Sequence, residues 1–156
     1  FKFLYIMHKF ITQVFTGKKI HFGNYSCLTK KDAQLISDKG SLWSSYSGTL
    51  KNNIEKLNEI ESIRGKRFFG PSKMSLINLI IHSFSIIAVF KFQVFLRSFI
   101  LITALFLINK FLGNITFVFQ ILLVIFNVAI FVISKRESYQ KLINSENNLD
   151  NVNIIT

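Results

Sequence analysis

Apolar residues run almost unbroken from Phe92 to Ile133, whereas the rest of the chain spaces its hydrophobic positions among polar ones. The stretch "ITFVFQILLVIFNVAIFVI", Ile115 to Ile133, carries no charge. As a helix rising about 1.5 Å per residue it reaches about 28 Å, enough to cross a hydrocarbon core. Phe92 to Phe111 forms a second apolar helix, with Arg97 near its start and Lys110 near its end. Between them "NKFLGN" predicts a tight turn, so the two make a transmembrane hairpin whose ends lie on one side of the membrane. Met74 to Phe90 is apolar too, but Ser75, Asn78, His82, Ser83 and Ser85 interrupt it. That mixture predicts an interface helix.

Upstream the period is helical and weaker. Phe3, Met7, Phe10, Ile11 and Val14 fall on one face of Phe1–Phe15, and Lys2, Lys9, Thr12, Gln13 and Thr16 on much of the other. This predicts an amphipathic helix that lies on a membrane or covers a neighbouring domain. Gly17 ends it, and "KKIHFGNYSCL" follows as an extended stretch. Thr29 and Asp32 form a capping box for a brief helix through Ile36, broken at Asp38-Lys39-Gly40. Ser41 opens a second helix with Leu42, Tyr46, Leu50, Ile54 and Leu57 as its buried stripe, and Trp43 fits that stripe too. "EIESIRG" alternates Ile60 and Ile63 with polar residues and predicts an edge strand. The Asn-rich end, "NSENNLDNVNIIT", has the composition of a disordered tail. The expected fold is therefore mainly α: amphipathic and interface helices, a two-helix transmembrane hairpin and a short β element.

Composition sharpens the membrane reading. Half of the 156 residues are hydrophobic, 18 of them Phe, and the mean hydropathy is +0.39. One core of this size cannot hide that much apolar surface. The net charge of +11 and a pI near 10.0 call for an anionic partner. Two spanning segments argue for a membrane and against nucleic acid. Positive charge gathers outside the hairpin turn, and Lys135, Arg136 and Lys141 follow the second span, which predicts a cytoplasmic main body and tail. A single cysteine, Cys27, excludes an internal disulfide, and one thiol without companion ligands is expected to be structural. His8, His21 and His82 are too dispersed for a metal set, and no acidic pair stands out, so no catalytic residue is assigned. The opening "FKFLYIMHKF" has neither an initiator Met nor a cleavage-site pattern, and the chain is expected to be a fragment.

The chemistry-bearing stretch is "RGKRFFGPSKMS", Arg64 to Ser75. Gly70 and Pro71 set a turn, and Ser72 stands where an N-cap would precede a helix starting near Lys73 or Met74. The free N–H groups of such a helix seat an anion; Arg64, Arg67 and Lys73 add charge. Cations flanking a spanning hairpin also arise from topology alone, and that reading stands beside the first.

The pattern R-x-x-G-x-S-K, met by Arg67, Gly70, Ser72 and Lys73, resembles a motif of family-2 glycosyltransferases of the polyprenyl- or dolichyl-phosphate sugar transferase type. "FGNYSCLTKKDAQLI" is similar to a second family stretch on Gly23, Asn24, Tyr25, Leu28 and Lys31, and "LWSSYSGTLKNNIEKL" and "KMSLINLIIHSFSIIAVF" also read like the bacterial branch. The resemblance covers Phe3 to Ile133. It implies the C-terminal part of a GT-A domain over 1–73, an interface helix over 74–90, the hairpin over 91–134 and a cytoplasmic tail over 135–156. It further implies phosphate or diphosphate binding by Arg67, Ser72, Lys73 and Arg64, and an acceptor loop at Gly23, Asn24 and Tyr25. A nucleotide-sugar donor, a lipid-phosphate acceptor and a divalent metal (Mg or Mn) follow, the metal ligands lying outside this chain, which has no Asp-x-Asp. The location implied is the bacterial inner membrane, and the hairpin leaves an oligomer open. Ser26 stands where many relatives carry an Arg for the lipid phosphate. The contrasting reading is a small two-span basic membrane protein, not an enzyme, that binds anionic lipid or a partner subunit.

Overall fold

The computed structural model describes residues 2–20, 25–58, 60, 70 and 75–145. Eight helices occur among them: α1 (Lys2–Thr16), α2 (Lys30–Ser37), α3 (Ser41–Ser44), α4 (Tyr46–Asn53), α5 (Leu76–Ala88), α6 (Lys91–Leu112), α7 (Asn114–Ser134) and α8 (Tyr139–Asn144). No strand occurs among the described residues. The Glu59–Gly65 edge strand lies outside them except for Ile60, and the described parts of the Lys18–Leu28 stretch are neither helix nor strand.

α6 and α7 form the hairpin, both long and apolar enough to cross a membrane. The turn is tighter than "NKFLGN" predicts: Asn109 to Leu112 stay helical, and Gly113 alone reverses the chain at φ 62° and ψ −145°. A side chain is strained there, so glycine makes the corner possible. The Thr116 hydroxyl staples it, reaching Gly113 O at 2.8 Å and Asn109 Oδ1 at 2.5 Å. At the open end Lys91 Nζ meets Glu137 Oε2 at 2.7 Å.

Two separate cores follow. The larger gathers Ile87, Ala88, Val89, Phe90, Val94 and Ile130 at the open end, where α5 crosses α7 and feeds into α6. Phe15 of α1 and Phe84 of α5 both pack on Phe126 of α7, with ring centres 4.6 and 5.8 Å away. The smaller core holds Ile36, Leu50 and Ile54, with Leu28, Leu42, Tyr46 and Leu57 against it. α4 joins the two by lying on α5 at Gly48, where an added Cβ would stand 3.0 Å from Val89 Cγ2 and 3.2 Å from Ile86 O.

Several expectations need correction. The helix expected from Ser41 is split at Ser45, which is extended (φ −157°, ψ 112°) and whose Oγ accepts the Gly48 amide at 3.2 Å. A serine with that competing bond favours a cap over a helix interior. The apolar stripe survives the break, since Leu42, Tyr46, Leu50, Ile54 and Leu57 share one cluster, but Trp43 is half-exposed outside it. The Thr29 cap forms as expected, its hydroxyl accepting Asp32 N at 3.2 Å and donating to Asp32 Oδ2 at 2.7 Å. The C-terminal segment contains α8: Ser138 caps it, and Ser138 N donates to Gly40 O at 3.3 Å. Residues 146–156 lie outside the described ones.

The largest correction concerns α1. Thr12 and Thr16, assigned to its polar outer face, are buried at 2% and 3% exposure, while Met7 and Phe10 point outward, Phe10 at 67%. Of the expected apolar face only Ile11 and Val14 are partly covered among the side chains described.

Candidate functional site: the basic end of the hairpin

Of the residues expected to bind phosphate, Arg64, Arg67, Ser72 and Lys73 lie outside the described residues, as do Gly23 and Asn24 of the acceptor loop. Their neighbours bear on them. Gly70 has φ 52°, and a Cβ there would meet nothing within 4 Å, so it is a left-handed turn residue in open space, as the Gly-Pro corner predicts. The helix after it starts later than expected. Ser75, not Ser72, is the N-cap of α5: its Oγ accepts Asn78 N at 3.2 Å, and its carbonyl accepts Leu79 N at 3.0 Å. Ser72 and Ser75 are both good caps, and packing of the apolar residues from Leu76 onward favours Ser75. The uncapped amides of α5 therefore belong to Leu76 and Ile77, past the R-x-x-G-x-S-K pattern.

Tyr25 is 99% exposed at the start of a segment that is otherwise held. Ser26 is hydrogen-bonded to the Tyr46 hydroxyl, and Leu28 packs in the smaller core. Ser26 thus ties the segment to α4. Cys27 is exposed, against the expectation of a structural thiol.

Lys91, Lys135 and Arg136 stand at the open end, at the first residue of α6 and just past α7. Lys91 is paired with Glu137, Lys135 lies over the Phe131 ring at 5.0 Å, and Lys18 and Lys19 are exposed just past α1. Lys110 alone is charged near the turn. Arg97, near the start of the second apolar helix, has a definite role. Its Nη1 donates to Val14 O at 3.0 Å, and its Nη2 would stand 2.5 Å from a Cβ on Gly17. Gly17 itself takes φ 73° and gives its amide to Gln13 O, which leaves the Val14 carbonyl for the guanidinium. A cation on the last carbonyls of a helix meets the negative end of its dipole. No local pattern could have revealed that pairing, because the two residues are distant in the chain.

His8 is half-buried between α1 and its neighbours, with Thr12 Oγ1 3.4 Å from its Nδ1. Burial lowers its pKa, and His82 of α5 adds like-charge repulsion in the same direction. Farther along the hairpin an open groove of about 330 Å³ runs between α6 and α7, lined by Phe95, Phe99, Phe131 and aliphatic neighbours, with Ser98 and Asn127 at its floor. It holds no charged side chain, so it does not suit a diphosphate. Among the described residues no three His, Cys, Asp or Glu converge as metal ligands. Compared with protein-family models, curated proteins and solved structures, the chain finds no match in any of the three.

Proposed function

We propose that this chain is the membrane-anchoring and acceptor-site portion of a glycosyltransferase that moves a sugar from a nucleotide-sugar to a polyprenyl-phosphate-type lipid. The observation that carries this reading is the order of parts. Arg67, Gly70, Ser72 and Lys73 immediately precede α5, and α5 leads through Phe90 into a hairpin long enough to span a bilayer. The left-handed Gly70 supports a turn within that motif.

In this reading Arg67 and Arg64 grip the diphosphate or the acceptor phosphate with forked guanidinium donors, and Lys73 and Ser72 complete the grip. Gly23, Asn24 and Tyr25 shape the acceptor loop. The reaction is attack by a phosphate oxygen on the anomeric carbon, with the nucleoside diphosphate leaving. A phosphate monoester is already ionised near neutral pH, so the protein's contribution is positioning and stabilisation of the departing charge. The divalent metal such enzymes use finds no ligand set among the described residues. The excess of cations outside the hairpin turn supports a bacterial inner-membrane protein with its main body and tail in the cytoplasm.

One observation favours a second reading, a non-enzymatic two-span protein that binds anionic lipid or a partner subunit. Capping of α5 by Ser75 moves its free amides beyond the motif, which removes the helix-dipole half of the anion seat. The two readings separate in one assay: transfer of labelled sugar to polyprenyl phosphate by membranes carrying the protein in its natural reading frame. Arg67→Ala should reduce transfer on the order of 10²-fold while membrane retention is unchanged. Wild-type transfer in that variant, or after Arg64–Lys73 is scrambled at constant charge, removes the phosphate grip, and no transfer by the unaltered protein selects the second reading.

A further inference from the structure

α1 is packed the reverse of a helix in water. Its covered side holds buried Thr12 and Thr16 and half-buried His8 beside Ile11 and Phe15, while its open side is Tyr5, Ile6, Met7 and Phe10. The covered side tolerates burial because its polar groups are satisfied within reach. Thr16 Oγ1 donates to Thr12 O at 2.6 Å, Thr12 Oγ1 meets His8 Nδ1, and Arg97 takes the Val14 carbonyl. The open side then needs an apolar cover, either another protein or hydrocarbon.

Three observations choose hydrocarbon. First, the open side continues into surface of the same kind: Leu96, Phe99 and Ile100 of α6, on which α1 packs, and Ile77 and Ile80 of α5 are all exposed. Second, α1 sits at the right depth. Arg97 lies about 9 Å along α6 from the Lys91 pair, within the roughly 5–10 Å at which interfacial helices settle. Third, the surrounding charge suits a phospholipid surface, because Lys18, Lys19 and Arg97 ring the end of α1 and Lys9 folds over the Tyr5 ring at 4.4 Å. Long cationic side chains at that depth reach headgroups while their stems stay in apolar surroundings.

We infer that α1 is a membrane-embedded shoulder of the hairpin: Ile6, Met7 and Phe10 touch acyl chains, and Lys18, Lys19 and Arg97 face anionic headgroups. This deepens the anchoring part of the proposed function and rests on the hairpin spanning the bilayer.

The test uses the full chain in phosphatidylcholine–phosphatidylglycerol vesicles, with Trp43→Phe as background and one tryptophan restored at a time. Phe10→Trp and Ile6→Trp report on α1, and Leu122→Trp, an exposed position of α7, reports on the hairpin. With acyl-brominated lipids, both α1 tryptophans should lose emission as strongly as Leu122→Trp and resist aqueous iodide. Quenching of Leu122→Trp alone overturns the inference and leaves the hairpin standing. Within that result, iodide sensitivity at Phe10→Trp means water covers α1, and insensitivity to both quenchers means a protein does. No bromolipid quenching at Leu122→Trp overturns the anchor itself, and the inference with it.

Discussion

The two cores of this molecule obey opposite rules. Around Ile36, Leu50 and Ile54 the clustered apolar residues of α2–α4 turn inward while Lys30, Lys31 and Asn52 turn out, the arrangement water enforces, with Leu35 and Trp43 left about half-exposed. Around the hairpin, Thr12, Thr16, Ser85, Ser98, Thr116 and Ser134 are buried, while Phe92, Phe99, Phe106, Phe111 and Phe117 are exposed. Small hydroxylated residues at helix contacts and large apolar ones outside are what lipid selects, because helices in hydrocarbon gain little from hiding apolar surface and much from close backbone approach. The two regions thus carry opposite patterns, and they meet where α4 lies on α5.

Five perturbations bear on that division, beginning with the largest. Leu50→Ala should cost about 2–5 kcal/mol and Phe90→Ala about 3–5 kcal/mol, both side chains being fully buried. Hydrogen exchange should show Leu50→Ala loosening α2–α4 and leaving α6–α7 protected, with Phe90→Ala acting on α1 and α5. Identical exchange maps would mean there is one core. Gly48→Val pushes branched carbon into Ile86 O and Val89 and should cost about 1–3 kcal/mol, read as lowered thermal stability in detergent.

Arg97→Met removes the cation from the end of α1 and keeps its bulk. A loss of about 1 kcal/mol is expected, seen as faster exchange of the amides that close α1; unchanged exchange would make the contact idle. The smallest effect is a pH dependence. Because burial holds His8 below the ordinary imidazole value of 6.5, the folded protein prefers it neutral. Packing of α1 is therefore complete above that value and weakens as pH falls beneath it, with facing His82 adding to the strain as charge accumulates. Protease nicking of α1 should rise on acidification, and His8→Gln should flatten the response.

Much of the architecture was legible in the residues. An uncharged run from Ile115 to Ile133 leaves few alternatives to a long helix, and Thr29 with Asp32 announces its cap through chemistry confined to four neighbours. The apolar stripe of Leu42, Tyr46, Leu50, Ile54 and Leu57 was legible even where its helix was not, because burial depends on spacing and tolerates a break at Ser45. What escaped was direction. Helical period finds two faces on α1 but does not say which side the protein covers, and Thr12 and Thr16 of the polar face are buried. The start of α5 escaped for a related reason: Ser72 and Ser75 are both good caps, and the packing downstream decides between them. The candidate phosphate grip depends on Arg64, Arg67 and Lys73, whose case still rests on pattern and order.

By itself the sequence determined the number of apolar helices, the reversal near Gly113 and the gathering of charge at one end, since each follows from local composition and backbone freedom. Only the tertiary structure decided that Arg97 closes α1, that Gly48 lets α4 lie against α5, and that the threonine side of α1 faces protein. Those outcomes join residues far apart in the chain, and such contacts are set by how whole surfaces fit and which solvent remains outside.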